Sequence, residues 1–390
     1  MTPFTDSHCL PPLSLYVHIP WCIKKCPYCD FNSHAISSHH VDDQAYVDSL
    51  LQDLLFALPS IDHRPIVSIF IGGGTPSLLS CQALEQLLLG IQKYCHLIPN
   101  IEITLEANPG TVDQSRFQRF AQAGVTRLSL GIQSFSNRCL QSLGRIHNNL
   151  AAHRAVDCAL SYFKKVNIDL MYALPHQTIT EALLDIKTAL ASGVSHISAY
   201  QLTIEPHTPF GCAPPKDLPN HDQSDAIAKA IHQQLRLAKF AHYEISAFAQ
   251  NHHYCQHNLN YWQFGDYVGI GAGAHSKLTT KHGILRTMRY QHPKTYARQV
   301  SNKTPIQSQH HIAPNQLKIE FMMNALRLTA GFAPTLFTQR TGLPFSVLSG
   351  ALDEAKRQGL AIVNSSLIKP STRGRKFLND LLLLFMSSSS

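Results

Sequence analysis

Residues 14–31 read SLYVHIPWCIKKCPYCDF. The opening alternates apolar Leu15, Val17 and Ile19, the period of a short strand. It breaks at Pro20 into a loop that holds Cys22, Cys26 and Cys29. Three thiols within eight residues can wrap one small inorganic centre without a long excursion of the chain. Zinc and iron–sulfur clusters are both bound by such thiolate groups. The CxxxCxxC spacing is not the paired CxxC of a zinc ribbon, and a closed zinc site needs a fourth ligand. No further Cys follows nearby, and the position two after Cys29 is Phe31.

Working outward, strand and helix patterns alternate. Helical spacing of Tyr46, Leu50, Leu54 and Leu58 predicts a helix over 42–57. Strands are expected at 67–71, 101–107, 127–132, 165–171 and 196–203, with helices at 81–94, 112–123, 149–162, 179–191 and 222–238. With the first strand this makes six strand–helix units. Strict alternation implies a parallel sheet with right-handed crossovers. Six units are short of the eight of a closed barrel, so the expected α/β fold is a partial (β/α)6 TIM-type barrel. Cys22, the run Gly72-Gly73-Gly74-Thr75-Pro76, Glu106, Gln133, Asp169 and Gln201 all fall at or near the ends of successive strands. In such barrels the site lies at the C-terminal strand ends, so one large ligand is expected across the mouth.

The later chain reads differently. Residues 242–249 suggest one more strand, 256–273 are rich in Asn, aromatics and Gly, and 302–313 look like a linker. Helices at 315–328, 334–341, 344–358 and 372–385, with a strand pair at 360–363 and 367–369, follow the order of a winged helix. The third helix carries Asp353, Glu354, Lys356 and Arg357, a mixed face, so no nucleic-acid partner is expected. Ser387 to Ser390 form a low-complexity tail. The expected domains are a barrel at 11–240, an extension at 241–301 and a mostly helical module at 314–386.

Composition sets bounds on class. The chain has 390 residues, 44% of them apolar and 15% charged, as suits a globular protein with a large core. Its formal charge of +8 comes without a dense Lys/Arg block. No apolar run is long enough to span a membrane, and the opening MTPFTDSHCLPP does not read as a signal peptide. Cys9, Cys81, Cys95, Cys139, Cys158, Cys212 and Cys255 are scattered, so reduced thiols in the cytoplasm are expected. Most of the 23 histidines, including His39, His40, His252, His253, His310 and His311, are expected in solvent.

Single residues admit two readings. The glycine run is either a tight turn or a nest of N–H groups for an anion. Glu106 is a solvated acid or a carboxylate that orients a ribose or an ammonium group. Asp169, inside the apolar NIDLMYALP, should point inward against a partner, and Arg145 of GRIH could supply it or grip a carboxylate. The string His257-Asn258-Leu259-Asn260-Tyr261-Trp262 combines imidazole and phenolate, both heme-iron ligands, with a flat indole. A packed aromatic turn is the alternative. On a helix His257 and Tyr261 share a face. Cys255 is a metal ligand or a buried thiol.

A strand followed by CxxxCxxC with Tyr28 before the third Cys resembles the radical S-adenosylmethionine (SAM) superfamily. With IFIGGGTPSLL, EANPGT, GIQSF, GRIH, YQLTIEP and HNLNYW, the resemblance extends over nearly the whole chain to the oxygen-independent coproporphyrinogen III oxidase-like family. It implies a [4Fe-4S] cluster on Cys22, Cys26 and Cys29, with one iron open to SAM. It implies SAM contacts from Gly73, Gly74 and Thr75, and supports Tyr16, Tyr28, Glu106, Gln133, Arg145 and Asp169 as neighbours of that cofactor. The decarboxylating members carry a short extension before the cysteine loop and a fourth Cys. Here a dozen residues precede the first strand and Phe31 fills that place. Both departures favour the family's heme-chaperone branch, in which HNxxYW is the heme motif, implicating His257 and Tyr261. That branch implies heme as cargo, acceptor hemoproteins of the respiratory chain, and a homodimer. It also implies a cytoplasmic location, peripheral at the inner face of the membrane at most. A radical SAM decarboxylase of coproporphyrinogen III is the alternative.

Overall fold

The computed structural model describes residues 10–36 and 42–386. Cys9, His39, His40 and the tail from Ser387 lie outside them. The central layer is one sheet. Strands β1 (Leu13–Ile19), β2 (Ile66–Gly73), β3 (Leu97–Ala107), β4 (Arg127–Gln133), β5 (Lys165–Tyr172) and β6 (His196–Gln201) run parallel in that spatial order. Helices α1 (Asp43–Ile61), α2 (Cys81–Tyr94), α3 (Gln114–Gln122), α4 (Asn149–Tyr162), α5 (Ile179–Ala191) and α6 (His221–Leu237) alternate with them. Their starts follow from capping chemistry. Asp42 and Ser80 accept N–H bonds at the starts of α1 and α2, and Thr178 with Glu181 forms a capping box on α5. The apolar strand residues form one continuous core with the buried residues of the helices.

The sheet is larger than six units. Short strands β7 (Ala241–His242) and β8 (Ala247–Ala249) add antiparallel beyond β6. On the other side β9 (Asp266–Ile270) pairs parallel to β1, and β10 (His275–Thr280), β11 (Gly283–Arg289) and β12 (Ile306–His311) extend it antiparallel. Among the described residues the order runs openly from β12 to β7 without closure. Three expectations change. The single strand over 242–249 is two, because Glu244 turns the chain back and accepts the Ser246 N–H at 3.0 Å. The expected linker over 302–313 contains β12, an edge strand exposed along nearly all its length, with no buried face to leave an alternating pattern. A seventh parallel strand, β9, lies within the stretch read as Asn- and Gly-rich.

Helix α7 (Gln256–Trp262) leads into β9, and α8 (Pro293–Ser301) packs on α1. The C-terminal module has α9 (Pro314–Ala325), α10 (Pro334–Thr341), α11 (Ser349–Arg357), the hairpin Ala361–Val363 with Ile368–Pro370, and α12 (Leu378–Met386). The helix expected over 344–358 begins as a 3-10 turn, and the one expected over 372–385 breaks at Phe377. The module has its own apolar core, which also takes in Phe264 and Ile284. Among the described residues no helix is long and apolar enough to cross a membrane. All nine described cysteines are free thiols. Among the described histidines His18, His147, His196 and His257 are buried, and none of these four is among those named as solvent-facing.

Candidate functional site

The cysteine loop leaves β1 at Pro20 and is tied down at several points. Trp21–Cys22 bridges to His34–Ala35, Cys29 N–H closes a turn on Cys26 O at 3.1 Å, and Phe210 N–H binds Pro27 O at 2.9 Å. Tyr28 packs against Phe210. Cys22, Cys26 and Cys29 all line a cavity of about 150 Å³. Each sulfur has a polar neighbour: Thr75 Oγ1 donates to Cys22 Sγ at 3.4 Å, Arg145 Nη1 to Cys26 Sγ at 3.6 Å, and Ser33 Oγ lies 3.7 Å from Cys29 Sγ. Burial pushes the Cys22 thiol up, and the Thr75 hydroxyl opposes this. Among the described residues no group of three or more His, Cys, Asp or Glu is placed to hold a metal ion.

The same cavity gathers Tyr28, Gly73, Gly74, Thr75, Glu106, Gln133, Arg145 and Asp169. The glycine run abuts the cysteine loop. Gly74 N–H binds Ile19 O and Thr75 N–H binds Trp21 O, both at 2.7 Å, while Gly73 N–H donates to Glu106 Oε2 at 3.1 Å. The anion-nest reading is therefore corrected, since all three N–H groups are spent inside the protein. Close approach does require glycine. Gly73 has φ of +118°, and a Cβ there would meet the His18 ring at 2.7 Å. Burial, with Asp169 nearby, pushes the Glu106 carboxyl up to about 8, and the Gly73 N–H works against it.

Gln133 also has positive φ, +68°, at a register irregularity between β4 and β5, and its Oε1 accepts the Tyr200 hydroxyl at 2.6 Å. Asp169 accepts from Asn167 Nδ2 at 2.7 Å and Ser129 Oγ at 3.2 Å. Of the two roles open to Arg145, pairing with Asp169 is not found; Arg145 Nη2 binds Gly131 O at 2.7 Å. Arg145 Nε is buried without a partner, a donor aimed at nothing in the protein. Gln201 faces solvent, and Tyr200 takes the place expected for it.

A second cavity, of about 840 Å³, opens on the other side of Gly73, Glu106 and Phe31, which line both. It takes Tyr16, His257 and Tyr261, with Asn258 and Trp262 beside them, so α7 places four of the string's six residues on one wall. Its volume lies within the range of small-molecule and cofactor pockets. Tyr16 belongs to this larger cavity: its hydroxyl lies 3.0 Å from His18 Nδ1, and its ring rests against Phe70 and His257. Ser68 Oγ lies 3.3 Å from His257 Nδ1 and 2.7 Å from Ser14 Oγ, which receives Asn260 Nδ2–H at 2.8 Å. Hydroxyls both donate and accept, so this chain can serve either imidazole tautomer. Burial drives the His257 pKa down to about 3, which keeps the ring neutral, the form that ligates metals. Trp262 Nε1 is buried without a partner. Cys255 is a buried thiol, pushed up to about 11 by burial. Sequence reading missed Ser14, Ser68, Tyr267 and Arg286. Lone Ser and Arg residues in strands carry no spacing signal.

A parallel sheet, a three-cysteine loop leaving its first strand and a glycine run at the tip of the second define a radical SAM protein. Residues 16–188 match the Radical SAM superfamily and residues 313–377 the HemN C-terminal domain. Heme chaperone HemW of Haemophilus influenzae is 47% identical over 97% of this chain and 99% of its own length. The Escherichia coli heme chaperone HemW is 46% identical over 97% and 99%, and that of Bacillus subtilis 31% identical over 96% and 99%. The chain belongs to the HemW family. In fold it is similar to coproporphyrinogen III oxidase (HemN) of Escherichia coli, a radical SAM enzyme, with a TM-score of 0.82 at 21% identity over 97% of this chain and 91% of that one.

Proposed function

We propose that this protein is a heme chaperone: it binds heme in the larger cavity and hands it to acceptor hemoproteins. The observation that carries this is the wall that α7 forms, where neutral His257, Tyr261 and the indole of Trp262 face one cavity of about 840 Å³. In this reading His257 ligates the heme iron through Nε2, the nitrogen that Ser68 does not engage, and Tyr261 and Trp262 flank the macrocycle.

The residues of the smaller cavity fit a [4Fe-4S] cluster and SAM. A cubane spreads its irons, so its three thiolates need not converge on one ion. Cys22, Cys26 and Cys29 would hold it, and the cluster, when bound, supplies an open iron for the amino and carboxylate groups of SAM. The chain's own part is to position. Glu106 meets a cationic centre, Gly73 and Gly74 allow close approach, and Arg145 offers its free Nε to a carboxylate. Tyr28, Gln133 and Asp169 would lie around the remainder, Thr75 steadies Cys22, and Tyr16 lines the neighbouring larger cavity. The reading extends to respiratory-chain acceptors, a homodimer and cytoplasmic residence. The domain division at 11–240, 241–301 and 314–386 is part of the same reading.

The test is heme titration and transfer on protein purified without oxygen. Stoichiometric heme binding that is lost in His257→Ala, with heme passed to an apo-hemoprotein and coproporphyrinogen III unchanged, supports the proposal. Decarboxylated product that requires SAM and reductant would replace it with the enzyme reading.

A further inference from the structure

Of the described residues that line the larger cavity, Lys25 and Arg286 are the lysine and the arginine. Lys25 sits in the cysteine loop and donates to Phe31 O at 3.0 Å. Arg286, on β11, is placed differently. Its Nη1 donates to the Tyr267 hydroxyl at 2.6 Å and its Nη2 to Glu320 Oε2 at 2.6 Å. Tyr267 is a cavity residue whose ring packs on Tyr261. Glu320 belongs to α9 of the C-terminal module and does not line the cavity. The guanidinium is thus shared between the ligand space and the module. Arg286 and Glu320 are partly exposed, 21% and 27%, so the ion pair is open to exchange with another carboxylate.

We propose that Arg286 is the carboxylate-recognition residue of the larger cavity, and that a flat macrocycle bearing carboxylate arms takes its guanidinium in competition with Glu320. The inference rests on the heme reading and deepens it. A planar fork suits a carboxylate in a way a point charge does not. Occupancy then weakens the tie between β11 and α9. The module also grips α7 itself: Arg327 stacks over the Trp262 ring at 4.3 Å, and Arg340 Nε donates to Gln263 O at 3.3 Å. The module therefore senses the carboxylates of the cargo as well as the wall they rest against.

The experiment compares iron protoporphyrin IX with its dimethyl ester, in which both carboxylates are masked, by absorbance titration of the full cluster-loaded chain. Wild type should favour the free acid by roughly tenfold, the worth of a hydrogen bond to a charged group. Arg286→Ala should bring that preference close to one, and Arg286→Lys should restore only part of it. Glu320→Gln removes the competing charge and should tighten the acid several-fold with the ester unchanged. If Arg286→Ala does not fold, the Glu320→Gln arm decides alone. An acid-to-ester ratio that stays at the wild-type value in the folded variants overturns this inference and leaves the heme reading standing. A wild type that binds neither porphyrin overturns both.

Discussion

Gly73 shows how one residue can be required twice. Its φ of +118° is one that side chains rarely adopt, and the space where a Cβ would go is filled by the His18 ring. Gly73→Ala should lower stability by about 1–3 kcal/mol, read from urea unfolding, and abolish SAM binding. Glu106 gives a proton-coupled expectation. Its carboxyl, pushed up to about 8 by burial beside Asp169, is largely protonated at neutral pH. A sulfonium or ammonium ligand draws the charge back, so SAM binding at pH 7 should release a proton and strengthen as pH rises toward 8. Calorimetry in buffers of different ionisation enthalpy measures this; release that persists in Glu106→Gln assigns the proton elsewhere. His147 acts on stability. Burial and the nearby Arg145 lower its pKa from 6.5 to about 4. A lowered pKa means the unfolded chain takes up the proton first, so the stability from burying the neutral ring is complete above pH 6.5 and lost as pH falls toward 4. In His147→Gln the unfolding midpoint should vary less steeply across that window. These residues differ in how visible they are from sequence. Gly73 and Glu106 stand at strand ends in recognisable strings, whereas the fate of each N–H depends on neighbours that no spacing reveals.

Among the elements, α7 joins the two cores. His257 faces the barrel at one end, and just past the other end Phe264 is buried in the core of the C-terminal module, 5.6 Å from Phe321 in ring separation. Truncating a fully buried Phe in a packed core typically costs about 3–5 kcal/mol. Phe264→Ala should show that loss in thermal unfolding and should also weaken heme binding, although Phe264 does not line the cavity. Unchanged heme affinity in the destabilised variant would show that the helix holds its place without the anchor. The six parallel strands are legible because each is an apolar run followed by a helical period and a turn. The additions at both edges are not. β12 is exposed along nearly its whole length, β7 and β8 have two and three residues, and β9 is five residues set among glycines. HNLNYW left a helix and an aromatic turn both open, and the structure has the helix; Arg286 carries no signal at all, because GILRTMR has neither a clean alternation nor a motif.

At the scale of the whole molecule, the C-terminal module shares its core with the sheet extension. Phe264 and Ile284, from the sheet extension, complete its core, and Arg286, Arg327 and Arg340 tie it to the cavity wall. A chain ending at Ile312 should therefore lose heme binding and unfold earlier, even though no residue beyond it lines either cavity. A truncated chain that keeps wild-type heme affinity would show the wall to be self-supporting. The partition that Gly73, Glu106 and Phe31 form has a thermodynamic corollary. A single carboxylate borders two chambers, so its state of charge is common to both guests. Whatever factor the first guest imposes on the dissociation constant of the second must be returned in equal measure, whichever enters first. Titrating either one should displace the midpoint of the other by an identical ratio.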